Sequence, residues 1–299
     1  MSARPSPFHA GEREVQERAG VRERAELLGQ HMIRDYMPEQ HRAFFAQLPF
    51  LVVGSLSADG QPWASIVAGP PGFASTPSAT RLQIAAAPLP GDPLAQHLEL
   101  GKPLGVLGIQ LETRRRNRAN GRVVAHAAGG FSLEVEQSFG NCPKFISVRS
   151  LQPRAASPPP AARELDPRAL PSAALRVIAH ADTCFIASAS ARRPERQDAS
   201  QGVDVSHRGG PAGFIAQELG ASGGLRLRIP DYAGNNAFNT LGNISVHPRA
   251  GLLVPDFTSG DLLSLAGACT LEWSGRERAL CFDVERALRW QGVLPALAP

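Results

Sequence analysis

Lysine is nearly missing from this chain. Of 31 basic residues only Lys102 and Lys144 are lysines, so arginine carries the positive charge. The formal net charge of +4 is too mild to imply nucleic acid by itself, and it favours anionic ligands only where arginines cluster. The four cysteines, Cys142, Cys184, Cys269 and Cys281, form no CxxC pair, and the histidines show no HxxxH or HExxH spacing, which argues against a bound metal. There is no run of about 18 apolar residues, and the N-terminal stretch lacks an apolar signal core. Secretion and membrane spanning therefore lose support, and the expectation is a reduced, cytoplasmic protein.

What is present points to β-structure. With 29 Gly and 26 Pro among 299 residues, 43% hydrophobic and 19% charged, the chain suits many turns and short strands in a globular protein. Its length suggests two domains. Residues 11–30 carry a thin apolar stripe (Val15, Ala19, Val21, Ala25, Leu28), as in a helical arm lying on something else. A short helix over Pro38 to Leu48 leads into a strand, an Asp-Gly turn at Asp59 and Gly60, and a returning strand. "RLQIAAA", "LGVLGIQL" and "GRVVAHAA" follow as short apolar segments with the spacing of an antiparallel barrel. The expected organisation is an arm over residues 1–30, a first β-domain over 31–151, a Pro/Ala-rich linker over 152–165 and a second β-domain over 166–299.

The second domain repeats the first. Ser65, Gly69, Pro70, Gly72 and Phe73 fall on Ser206, Gly210, Pro211, Gly213 and Phe214 at an offset of 141. Leu82, Ile84, Pro103 and Leu107 match Leu227, Ile229, Pro248 and Leu252 at 145. Tandem copies suggest an intramolecular version of a homodimer, with a ligand between the halves. Copy two is richer in ligand-type groups, so one site is expected to be kept more fully than the other.

Several segments bear chemistry. In "VDVSHRGGPAGF" strand alternation sends Ser206 and Arg208 to one face and His207 to the other, which disfavours a Ser-His dyad. Ser206 and Arg208 followed by Gly209 suit an anion such as phosphate, or else a tight turn with Arg208 solvated. His207 reads either as a ligand contact or as a packed histidine. Asn235, Asn236, Asn239 and Thr240 suit phosphate oxygens or helix capping. "LETRRRNRANGRV" places Arg116 and Arg118 beside an Asn-Gly turn at Asn120 and Gly121, and reads as a solvated edge or an RNA contact lacking nearby aromatics. Cys142 and Lys144 flank a proline, with Cys142 as a packed residue or a redox thiol.

Taken together, "SHRGGPAGF…IPDYAGNNAFNTLGNI…HPRAGLLV" in copy two and "DGQPWASIVAGPPGF…TRRRNRANGRV…FGNCPKFI" in copy one resemble the tandem form of the pyridoxamine 5′-phosphate oxidase-related, flavin-nucleotide-binding split-barrel proteins. The resemblance covers most of the chain. It implies a mainly β (α+β) fold with flanking helices: two six-stranded Greek-key split barrels forming a pseudo-dimer, with FMN at the interface. By this resemblance Ser206, Arg208, Asn235, Asn236, Asn239 and Thr240 bind phosphate or ribityl oxygens, Gly209 belongs to the same cofactor-binding segment, and His207 either stacks on or donates to the ligand or is a packed histidine. Arg116, Arg118 and Lys144 lend charge near the ring or substrate. Where the related oxidases carry an Arg-Lys pair on the phosphate, this chain has Asn239 and Thr240, and residues binding pyridoxal phosphate have no match. The implied activity is FMN-dependent oxidoreduction of an unassigned small molecule, with no catalytic residue assigned, electrons from another protein or a free reductant, and a homodimer as one assembly. A non-catalytic flavin- or haem-binding scaffold and nucleic-acid binding through the Arg hairpin are the alternatives.

Overall fold

The computed structural model describes residues 5–152, 158–195, 198–221, 223–294 and the backbone of 296–297. The chain is mainly β. Helices α1 (Ala10–Arg18), α2 (Arg22–Met32) and α3 (Glu39–Phe45) precede strands β1 (Phe50–Leu56), β2 (Pro62–Ala68), β3 (Ala74–Ser78) and β4 (Arg81–Ile84). After α4 (Leu94–His97) come β5 (Pro103–Gln110), β6 (Arg115–Ala127), β7 (Gly130–Gly140), and the short β8 (Leu151–Gln152) and β9 (Arg163–Leu165). The second half has α5 (Ser172–His180), β10 (Thr183–Ala189), β11 (Val203–Gly209), β12 (Ala216–Leu219) and β13 (Leu225–Pro230). It ends with α6 (Asn239–Val246), β14 (Arg249–Asp256), β15 (Asp261–Ser274), β16 (Glu277–Trp290) and β17 (Ala296–Leu297). Among the described residues no helix is long and apolar enough to cross a membrane.

The two sheets share one strand order. The first runs β2-β1-β5-β6-β7-β4-β3 and the second β11-β10-β14-β15-β16-β13-β12, with β9 added on β16. All these pairings are antiparallel. Neither sheet closes on itself among the described residues, whereas the strand spacing suggested an antiparallel barrel. Of the Pro/Ala-rich stretch, residues 153–157 lie outside the described residues, and Arg163–Leu165 pair with β16.

The register corrects two sequence readings. β5 and β14 are both eight residues long, and the pairing of β1 with β5 and of β10 with β14 places Gly105 on Gly251, an offset of 251 − 105 = 146. The offset of 145 read from Pro103 and Leu107 is one residue out. It would exchange the two faces of the strand: Leu107 packs in the seam, whereas Leu252 packs inside the second half's own core. The Asn120–Gly121 dipeptide is not a hairpin turn either. It lies inside β6 at a bulge, where a Cβ on Gly121 would stand 1.9 Å from the Glu134 carbonyl oxygen. Gly267 in β15 repeats this, 1.9 Å from the Asp283 oxygen.

Both faces of the central strands are buried, which explains their continuous apolar runs. In β1, Leu51 and Val53 enter the first half's core with Phe44, Phe45 and Leu82, while Phe50 and Val52 enter a seam shared with Phe185, Val205, Leu253 and Trp290. Glycines let the halves meet backbone to backbone. A Cβ on Gly105 would lie 2.5 Å from the Val203 oxygen, and one on Gly251 would lie 2.5 Å from the Pro62 oxygen. Since 203 − 62 = 141, these are the same contact made twice with the halves exchanged, as at a two-fold interface. Gly105→Ala is expected to cost about 1–3 kcal/mol, seen as a lower urea midpoint with unchanged slope; an unaffected midpoint would mean the seam has slack.

Helices α1 and α6 make a second close approach, with a Cβ on Gly11 falling 2.3 Å from the Gly242 oxygen. The arm thus lies on the second half of the chain.

Candidate ligand cleft

Strand β11 ends the order of its sheet, so side chains from both of its faces reach the same edge. There a cleft of about 600 Å³, counting its open mouth, lies between β6 of the first half and β11, α6 and the 231–238 loop of the second. A recess of about 390 Å³ adjoins it, the two sharing Arg116, His207, Arg208, Tyr232 and Gly234. Arg116, Arg118, Ser206, His207, Arg208, Asn235, Asn236, Asn239 and Thr240 line the cleft, and Lys144 and Gly209 line the recess. The structure therefore brings together all the sequence-predicted site residues, although His207 and its neighbours leave the strand on opposite faces.

Their hydrogen bonds show which are free to hold a ligand. Arg118 is 3% exposed; its Nη1 donates to Asp204 Oδ1 (2.9 Å) and Asn239 Oδ1 (2.8 Å), and its Nη2 to Ser206 Oγ (2.5 Å). Arg208 Nη1 donates to Asp231 Oδ1 (2.5 Å), whose other oxygen accepts from Arg278 (2.8 Å). Asn235 forms an Asx turn with the Ala237 N–H (3.1 Å), and Asn236 and Phe238 hold left-handed backbone at φ +61° and +60°. Asn235 and Asn239 thus shape the site. Gly209 is required by a close approach, since a Cβ there would lie 2.0 Å from the Phe145 oxygen.

Arg116 differs from the other two arginines. Its Nε donates to the Cys142 carbonyl (2.7 Å) and its Nη1 to His207 Nδ1 (3.1 Å), with no carboxylate in reach among the described residues. Burial first, then Arg118 and Arg208, pushes the Arg116 guanidinium down to about 10. Burial, then Arg116, Arg208 and Arg149, holds His207 well below its ordinary value, so the imidazole is neutral. A guanidinium can only donate, so Nδ1 is the acceptor and the ring proton sits on Nε2.

Among the described residues, four buried polar atoms on cleft side chains have no partner: Arg118 Nε, Arg208 Nε, His207 Nε2 and Asn141 Nδ2. With the tautomer above, all four are donors. Helix α6 adds an N-terminus without a side-chain cap, its first three residues lining the cleft. Leu107, Leu241, Phe238 and Tyr232 supply apolar walls. Phe145 and Tyr232, one from each half, stack at 4.9 Å beside the recess.

Asn141, Asp204, Asp231 and Glu12 escaped sequence reasoning. Each acts on a residue distant in the chain, and no local spacing marks it. Asp231 alone gave a signal, standing just before the Asn-rich loop.

The related place in the other half is filled. By the offsets 141 and 146, His207 corresponds to Ile66 and Arg116 to Leu262, and both pack in the seam with Trp290 and Leu294. Arg118 corresponds to Ser264. Among the described residues the seam thus holds one polar cleft and one apolar plug. The arginines of residues 114–122 do not form one exposed face: Arg114 and Arg115 are exposed, Arg116 and Arg118 turn into the cleft, and Arg122 pairs with Glu136 at 3.0 Å.

No family model matches the chain, and no curated protein matches it. Similar solved structures include a Clostridium acetobutylicum protein related to general stress protein 26 of Bacillus subtilis, of the pyridoxinephosphate oxidase family. Its TM-score is 0.26 at 9% identity, covering 42% of this chain and 91% of that one. An inhibitor of motility from Bacillus subtilis gives a TM-score of 0.22 at 9% identity, over 79% of this chain and 87% of that one.

Proposed function

We propose that the cleft binds FMN by its phosphate, and that the chain is an FMN-dependent oxidoreductase built as two split-barrel halves. The observation carrying this reading is the donor-only set, Arg118 Nε, Arg208 Nε, His207 Nε2 and Asn141 Nδ2, beside the uncompensated Arg116 and the first turn of α6. Such a set matches a phosphate, which offers acceptors alone. The fit extends to the ring, for which Leu107, Leu241, Phe238 and Tyr232 form apolar walls and Lys144 with Arg116 supplies positive charge. When bound, the flavin supplies the redox chemistry, and the chain's part is to hold and orient it.

One observation favours a second reading, a flavin-holding protein without turnover. Among the described residues the cleft's single histidine is held neutral and no cleft carboxylate is unpaired, so the described lining offers no group poised for proton transfer near neutral pH. Titration with FMN and with riboflavin tests the site. FMN is expected to bind at least about tenfold more tightly, the size of one charge-assisted contact; equal affinities would remove the phosphate from the cleft. Reduction of the bound flavin by NADH or NADPH then separates the two readings.

A further inference from the structure

The N-terminal arm brings a carboxylate to the back of the cleft. Glu12 on α1 is 2% exposed. Its Oε1 accepts from Asn239 Nδ2 (2.5 Å), and its Oε2 from the His9 N–H (2.9 Å). Asn239 Oδ1 in turn accepts from Arg118. A second anchor, Gln16 Nε2 to the Ala237 carbonyl (3.0 Å), ties the same helix to the cleft-lining loop.

Donor directions fix this network. Arg118 and the His9 N–H can only donate, so Asn239 must turn its oxygen to Arg118 and its amide nitrogen to Glu12. Both Glu12 oxygens therefore act as acceptors in this arrangement, which suits the carboxylate, a group with no proton of its own to place. A protonated Glu12 has a proton to donate, and the acceptor beside it is Asn239 Oδ1. The amide then turns its NH2 toward Arg118 Nη1, donor against donor, so that contact opens and Arg118 Nη1 loses one acceptor, while Asp204 and Ser206 keep the guanidinium in place.

We propose that Glu12 is a positioning residue of the anion cleft: its carboxylate sets the Asn239 amide that ties down Arg118, and an anion docking on Arg118 draws one proton from solvent onto Glu12. This rests on the anion-binding reading above. The charged and titratable groups facing Glu12 are Arg118 from β6, Asp204 from β11 and His9 from its own helix cap, with Asp198 and Arg13 acting on His9. His9 stays neutral, since its Nδ1 accepts from the Gly11 N–H and its ring lies against Asn243 Oδ1, with burial lowering its basicity.

Burial first, then Asp204, holds the Glu12 carboxyl well above its usual range, against the pull of His9 N–H, Asn239 and Arg118. A docked anion adds negative charge on the side of Asp204. The two consequences of protonation share a sign: a buried negative charge disappears, and Arg118 Nη1 is released toward the cleft. Anion affinity therefore rises as pH falls, by up to about tenfold per pH unit above the Glu12 titration.

The test compares the full chain with Glu12→Gln by calorimetric titration with sulfate, a dianion across the whole range, and with FMN, between about pH 5.5 and 8.5. In Glu12→Gln the side-chain oxygen accepts from His9 N–H and the nitrogen donates to Asn239, which reproduces the protonated acid. The unmodified protein is expected to lose about tenfold or more in affinity toward high pH, while Glu12→Gln stays at the low-pH strength throughout. Titration of the FMN phosphate itself cancels in the comparison. Parallel profiles in the two proteins, or a Glu12→Gln that binds more weakly at every pH, would overturn the proposal. A ligand-free readout separates it from the cleft reading. A carboxyl whose folded pKa is raised adds stability that is lost as pH rises, so the unfolding midpoint of Glu12→Gln should gain on the unmodified protein with rising pH. A constant midpoint difference counts against Glu12 titrating. A growing difference without any sulfate or FMN binding would instead show that the cleft reading has failed, and the linkage to binding with it.

Discussion

Arg118→Met is expected to lower stability by about 3–5 kcal/mol, which for a chain of this size corresponds to a thermal midpoint lower by roughly 10 °C. Arg118 is 3% exposed, and its guanidinium joins Asp204, Asn239 and Ser206, three groups on two elements of the second half. Methionine fills a similar volume, yet it leaves Asp204 buried without its cation. Asp204 keeps bonds from Asn120 Nδ2 (2.6 Å) and Asn243 Nδ2 (3.1 Å), so its charge remains partly satisfied and the lower end of the range is the working value. Adding Asp204→Leu should recover part of the loss, because it removes the buried charge left without its cation, although it takes the acceptor from the Asn120 amide. The corresponding positions in the other half, Ser264 and Trp63, hold no ion pair. Calorimetric scans of the single and double variants decide this. A double variant no more stable than the single one would place the cost in the packing of Arg118 over the Phe139 ring, 5.0 Å away.

The dependence of Arg118 on partners far along the chain shows where the sequence could be read and where it could not. Signals carried by neighbouring residues were legible. The Asp59–Gly60 turn joins β1 to β2, with Gly60 at φ +86°, and the helix before β1 begins after Pro38. Ser206 to Gly209, which line the cleft and its recess, stand out in the sequence because a hydroxyl, a guanidinium and glycine lie within four residues of one strand. The Asn120–Gly121 dipeptide misled, because the same glycine freedom that makes a hairpin turn also makes a bulge, and only pairing with β7 distinguishes them. The repeat was visible, but its offset slipped by one residue at β5, where proline and leucine matches competed with strand register. Glu12 and Asn141 were hidden for a different reason. Glu12 bonds to a residue 227 positions away, and the Asn141–Asn235 contact spans 94. Such partners are set by how the halves and the arm dock, which no local pattern encodes.

Arg116→Met is expected to separate binding from folding. FMN affinity should fall by about 10- to 100-fold, the value of a hydrogen bond between charged groups, while the thermal midpoint stays where it is or rises. The asymmetry follows from what surrounds Arg116. It has no carboxylate partner among the described residues, and burial with two neighbouring guanidiniums depresses it to about 10. A cation whose folded pKa lies below its unfolded value costs stability at every pH below about 10, and that cost is relieved only above it. Methionine removes the buried charge. It also forfeits the bonds to His207 and the Cys142 carbonyl, each contributing about 1 kcal/mol, so the net change in stability is small or favourable. Leu262 stands at the corresponding place in the other half and packs in the seam with Trp290, which shows that this architecture accepts an apolar side chain there. An arginine held at a cost to the fold, in a cleft whose lining includes donors without a partner among the described residues, is what the proposed anion site calls for. Fluorescence titration with FMN beside a thermal scan of the same variant gives both numbers. A large drop in midpoint with FMN affinity unchanged would make Arg116 a structural residue, and the anion would have to be sought elsewhere on the molecule.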